Sequence, residues 1–171
     1  ATSLGGWEGG GGFTAVRGHM AGHYLTAASK MYAATGDTAF LNKVNHLVTE
    51  LKNCQDALGV QEAAAGRPYG YLSAFPVSYF EALETNPAGQ GNVPFYTIHK
   101  ILAGLVDAYV HCGNNQALDM AIAMSDYHRW RVNRLTPAQV EAMFRTDNAN
   151  TEEWGGMNET LAEIHKLSSE R

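Results

Sequence analysis

An all-α fold is predicted by three observations. Apolar residues recur at three- and four-residue spacing along several long stretches, and a helix–glycine–helix unit occurs twice. Strand signals are weak, with no clear alternating apolar and polar run and no Asn-Gly hairpin.

The elements follow in order. Residues 6–14, "GWEGGGGFT", form a glycine-rich loop around Trp7 and Glu8. Residues 15–35 carry Val16, Met20, Tyr24, Ala27, Ala28, Met31 and Tyr32 on one helical stripe, and Gly36-Asp37 ends that helix. A second helix is expected over 38–58, with Phe40, Leu41, Val44, Leu47, Val48 and Leu51 on its apolar side. Residues 99–132 repeat the unit: Tyr109, Gly113 and Leu118 each lie 77 positions after Tyr32, Gly36 and Leu41. A third start stands at 158–171, "NETLAEIHKLSSER".

Between the two repeats, residues 59–96 read as a long loop holding Tyr69, Gly70, Tyr71, Phe75, Pro76 and Pro94, with one short helix at "VSYFEAL". Thr136 as N-cap and Pro137 at the first helical position signal a further helix over 136–144. Repeated antiparallel helix pairs make either a solenoid or a closed ring of hairpins, an (α/α) toroid. In a ring, loops at one end of the inner helices converge on a central cleft.

Composition narrows the function. A content of 45% hydrophobic and 17% charged residues over 171 positions supports one globular unit, residues 1–171, with a sizeable core. The net charge of −5 comes without a long basic run, which argues against nucleic acid or an anionic membrane as the main partner. No apolar stretch approaches the roughly 20 residues that span a bilayer. The start "ATSLGG" has neither an initiator Met nor a signal-peptide pattern and reads as trimmed or processed. Cys54 and Cys112 form no metal-binding spacing and are expected as buried thiols, with a disulfide as the alternative in an exported chain.

"VRGHMAGHYL", residues 16–25, places His19 and His23 four apart on one helix face. The spacing alone suits a metal. However, Met20 follows the first histidine where zinc proteases carry a glutamate base, and no third ligand is signalled. Gly18 and Gly22 instead favour close approach of a neighbouring helix.

Six stretches in order, "GWE", "RGHMAGHYL", "MYAATGD", "GYLSAFP", "VPFYTIHKILAGLVDAY" and "GGMNETLAEIHKL", resemble the N-terminal half of the catalytic domain of beta-L-arabinofuranosidases, glycoside hydrolase family 127 and its relatives. The resemblance runs from Trp7 nearly to Arg171. It implies a partial (α/α)6 toroid and a glycosidase acting on terminal L-arabinofuranosides, or similar sugars, of plant-type glycans. It also implies a retaining mechanism with a cysteine nucleophile near zinc and a glutamate acid/base. Those residues belong to the later half of the family domain, so no catalytic residue, metal ligand or cofactor is assigned in this chain. The chain is accordingly expected to be a fragment of a larger domain, forming one side of the sugar cleft. A bacterial secreted or periplasmic location is favoured.

The resemblance makes His99 the first candidate for sugar contact, since it matches a family histidine that faces the sugar. A neutral imidazole offers one donor and one acceptor to ring hydroxyls. Capping or packing at a helix start is the alternative use. Trp154, Asn158 and Glu159 surround the Gly155-Gly156 turn; Asn and Glu suit paired hydroxyls, and Trp stacks on a sugar face or fills the core. Trp154 replaces the histidine common in the family. Trp7, Glu8, Arg17 and His19 form a third group, in which Arg17 and Glu8 bind hydroxyls or pair with each other. Tyr96, with Tyr71, Phe75 and Phe95, is a candidate aromatic wall, and packing the long loop down is the expected use of most of the four.

His46, His111, His128 and His165 are expected as satisfied or surface histidines, with Asp107 and His111 spaced to pair. The expected partner is a carbohydrate, with no nucleic acid and no membrane. Self-association through the uncovered flank of a half-ring is also expected. The alternative from another class is a noncatalytic helical-repeat module that binds a glycan or a protein.

Overall fold

The computed structural model describes residues 16–86, 93–144 and 155–170. These residues form seven helices and no strand: α1 (His19–Thr35), α2 (Thr38–Ala64), α3 (Ser78–Thr85), α4 (Pro94–Cys112), α5 (Asn115–Asn133), α6 (Pro137–Phe144) and α7 (Met157–Ser169). The all-α class is correct. Two boundaries differ from the sequence reading. α1 starts at His19 because Gly18 turns the chain into the left-handed region (φ 88°). α2 runs six residues past Leu58, since "GVQEAA" keeps Gly59 and Glu62 on the buried face.

The 77-residue repeat is a structural repeat. α1 ends at Gly36 (φ 68°) and α4 at Gly113 (φ 67°), both in the left-handed conformation that closes a helix and that an L side chain resists. The next residue caps the following helix in each case: the Asp37 carboxylate accepts from the Ala39 amide, and the Asn114 side chain from the Ala117 amide. Each unit is therefore a tight antiparallel hairpin, α1–α2 and α4–α5.

α4 is the central element. Its buried residues Ile98, Ile101, Leu102, Leu105, Val106 and Ala108 meet Leu25 and Ala28 of α1, Val44 and Val48 of α2, and Met120, Ala121 and Met124 of α5. α1 and α4 run in the same direction. Gly18 lies beside Ile101, Gly22 beside Lys100 and Ile101, Leu25 beside Gly104, and Lys30 Nζ is 3.5 Å from Asp107. A Cβ at Gly22 would overlap the Lys100 carbonyl, and one at Gly104 would sit 2.7 Å from the Gly22 carbonyl oxygen. The two backbones touch only because both positions lack side chains, the packing role expected for Gly22.

The connection between the hairpins is shorter than expected and is tied down. Buried Gln55 of α2 donates from Nε2 to the carbonyls of Gly70 (3.1 Å) and Met120 (3.3 Å), joining three segments. The Tyr71 hydroxyl donates to the Phe75 carbonyl, and both rings are buried, so these aromatics pack the loop. At its start the Arg67 guanidinium holds Glu62 (2.6 and 2.8 Å), which also accepts from the Tyr127 hydroxyl at 2.6 Å. Arg131 spans from Tyr127 to Glu84 of α3 at 2.7 Å. The buried charges here are ion-paired, as burial demands, although Arg131 Nη2 has no hydrogen-bond partner among the described residues. Thr136 and Gln139 form the reciprocal capping box at α6.

Two expectations need correction. Cys54 is exposed and Cys112 only half-buried, both as free thiols, because Cys54 falls on the outer face of α2. His128 is neither satisfied nor at the surface: it is 5% exposed, and neither ring nitrogen has a hydrogen-bond partner among the described residues. The Asp107–His111 pair does form, at 3.5 Å.

Candidate functional site

The N-terminal ends of α1, α4 and α7 come together. His19, the first residue of α1, is buried with its ring 6.1 Å from Tyr96 in the first turn of α4. His23, one turn deeper on α1, meets His19 edge to face at 5.2 Å. Lys100 stands with Nζ 4.6 Å from the centre of the Tyr96 ring, within cation–π range. The internal repeat explains the pairing, since Tyr96 and Lys100 lie 77 positions after His19 and His23. Equivalent positions of two parallel helices thus supply a histidine pair on one side and a Tyr–Lys pair on the other.

α7 closes the third side. A Cβ at Gly156 would lie 2.7 Å from Cε1 and 2.9 Å from Nδ1 of His99. The imidazole therefore rests flush on the turn that opens α7, a seat that only glycine leaves free. His99 Nδ1 is buried there without a hydrogen-bond partner among the described residues. Burial lowers the His99 pKa, Lys100 and His23 lower it further, and Glu159 opposes them. His23 is likewise lowered, by burial first, then by Lys100 and His19. Both rings are then neutral near pH 7 and present a donor and an acceptor each.

The sequence candidates separate accordingly. His19, Tyr96, His99 and Glu159 fall in this cluster. Arg17 stands just before α1, half-buried, with Nε lacking a partner among the described residues. Asn158 is exposed and faces away, lining an apolar hollow against α5 instead. Trp7, Glu8 and Trp154 lie outside the described residues. Lys100, His23 and Gly156 were not among the candidates. The repeat offset carries the signal for the first two, because it aligns Lys100 with a histidine beside a candidate.

Among the described residues no group of three His, Cys, Asp or Glu is placed to hold a metal ion, so His19 and His23 stand there without a third ligand. No helix among those residues is long and apolar enough to cross a membrane. What the site offers is a mixed wall of neutral donors and acceptors, one carboxylate, one ammonium and an aromatic face. That combination suits a polyhydroxylated, uncharged ligand.

The family model for the beta-L-arabinofuranosidase, GH127 catalytic domain matches residues 1–171. No curated protein matches the chain.

Proposed function

The chain belongs to the beta-L-arabinofuranosidase GH127 catalytic-domain family, and is thus of glycoside hydrolase type; from this premise we propose that the joined ends of α1, α4 and α7 form one wall of the sugar cleft. The sugar is a terminal L-arabinofuranoside of a plant-type glycan. His99 exchanges hydrogen bonds with ring hydroxyls, Glu159 accepts from a second hydroxyl, and Tyr96 gives an apolar face. The three inner helices are the first part of an (α/α)6 ring whose cleft lies at this end. Family membership supports the glycosidase reading over a noncatalytic repeat module.

The observation that carries the reading is the seating of His99 on Gly156. A ring nitrogen without a partner among the described residues, on an imidazole held neutral by burial and seated near Glu159, supports a hydrogen bond to a hydroxyl. Retaining hydrolysis needs a nucleophile and an acid/base on either side of the scissile bond, and none of the residues in this cluster is assigned either role. Their work is to bind and orient the sugar.

An NMR titration of the ¹⁵N-labelled chain with methyl β-L-arabinofuranoside tests the proposal. Saturable shifts are expected at Tyr96, His99, Lys100, Gly156 and Glu159. Shifts confined to the opposite helix ends, around Gly36 and Gly113, would overturn it.

A further inference from the structure

A second cavity, of about 440 Å³, opens between α5, α6 and α7. Its wall is largely apolar, built from Phe95, Ile122, Phe144, Leu161 and Ile164. Volumes of this size are typical of small-molecule sites, which combine an apolar lining with a few polar groups that fix orientation. Exposed Asp126, Arg129, Asn158 and His165 stand at the rim of this cavity, and the buried polar group of the lining is His128. It lines the cavity at 5% exposure, and its ring packs between Phe80 at 5.1 Å, Tyr127 at 5.3 Å and Phe95 at 6.0 Å.

Neither His128 nitrogen has a hydrogen-bond partner among the described residues. Buried polar groups are almost always paired, so an imidazole left doubly unpaired calls for an explanation. The neighbouring polar groups do not supply one: Tyr127 is committed to Glu62 and Arg131, Arg131 bonds Glu84 through Nε and Tyr127 through Nη1, and its Nη2, also without a partner among the described residues, makes no bond to the imidazole. Burial, reinforced by the Arg131 charge, keeps the ring neutral by lowering its pKa to about 3. One nitrogen is then a donor and the other an acceptor.

We propose that this cavity binds a small, uncharged aromatic molecule bearing a hydroxyl group, with its ring against Phe95, Phe144 and Leu161 and its hydroxyl on a His128 nitrogen. The lining selects a flat apolar body, because stacked and edge-to-face aromatic contacts reward one. The imidazole selects the hydroxyl, which either donates to the free acceptor or accepts from the N–H. An ionised head group is disfavoured, since it would lose its hydration beside a neutral ring, and the buried cation nearby, Arg131, is already ion-paired with Glu84. The inference is independent of the sugar site: its ligand, lining and polar anchor are different.

Fluorescence titration of the full chain with 2-naphthol tests it, with 2-methylnaphthalene as the probe of like shape that lacks the hydroxyl. Wild type is expected to bind 2-naphthol saturably and to prefer it by about tenfold, the order of one hydrogen bond. His128→Leu is expected to abolish or invert that preference while still binding the hydrocarbon. A preference unchanged in His128→Leu would overturn the proposal, as would no saturable 2-naphthol binding up to 1 mM. Should the variant fail to fold, ¹⁵N resonances of the wild-type His128 ring decide. They must move with 2-naphthol by the large shift of a new hydrogen bond, and with saturating 2-methylnaphthalene only by the much smaller shift of a neighbouring aromatic ring; equal shifts would overturn the proposal. Exclusion of 2-naphthol by dimer formation in sedimentation experiments would assign the cavity to a second copy of the chain, and would also overturn the proposal.

Discussion

Gly156 and His128 show how much a single side chain, or its absence, decides here. Gly156 has an ordinary helical φ of −62°, so Gly156→Ala strains no backbone. Its added methyl would meet the His99 ring at 2.7 Å, and the ring must swing off its seat. Crowding of this kind typically costs about 1–3 kcal/mol, and it falls here on the proposed sugar site. Gly156→Ala is therefore expected to weaken arabinofuranoside binding at least tenfold with helix content unchanged, as circular dichroism would verify. At His128 the effect is on stability against pH. Its folded pKa of about 3 lies below the value near 6.5 of an unfolded histidine, so between those values the unfolded chain binds more protons. Stability is complete above about pH 6.5 and falls as the pH drops, by up to about 1.4 kcal/mol per unit. Urea unfolding at pH 7 and pH 4.5 should show a smaller loss for His128→Leu than for wild type. Equal losses would mean that other groups, the carboxylates with His23 and His99, set the acid limb without His128.

Between elements, α1 and α4 are joined by a contact of backbones. Gly22→Ala inserts a Cβ into the Lys100 carbonyl, where the atom in the way is main chain and cannot turn aside. A loss of several kcal/mol in unfolding free energy is expected, at the upper end of overpacking effects. Gly36→Ala meets open space and bears only its left-handed backbone, roughly 1–2 kcal/mol. Chemical denaturation of the two variants should rank them in that order, and the reverse order would refute the crossing. Much of this was legible in the sequence: the repeat, the two glycine stops, the polar caps and the small residues of "GHMAG" each have a local physical cause. Helix ends that depend on tertiary burial were not. The last turns of α2 exist because Glu62 finds Arg67 and Tyr127, partners that no local pattern discloses.

For the whole molecule, three parallel helix starts meet in space although their residues lie up to 140 positions apart in sequence, from His19 to Glu159. Four of the candidates assemble there because repeated hairpins return the chain to the same end each time. Asn158 does not, since adjacent positions on a helix face differently, and sequence proximity to Glu159 could not settle its direction. A lone lysine carries no motif, so Lys100 is marked only by its repeat offset from His23. Along α1, Met20, Tyr24 and Met31 are 43–50% exposed, a stripe of apolar surface that favours self-association. A melting temperature that rises with protein concentration is expected, and a concentration-independent melt with monomeric light scattering would contradict it.

The central claim, that the joined ends of α1, α4 and α7 hold the sugar through His99, is tested most directly by calorimetry of methyl β-L-arabinofuranoside binding to wild type and His99→Ala. The account predicts saturable one-site binding by wild type, reduced at least tenfold in the variant, with unchanged circular dichroism. Equal binding by both proteins, or none by wild type, would contradict it.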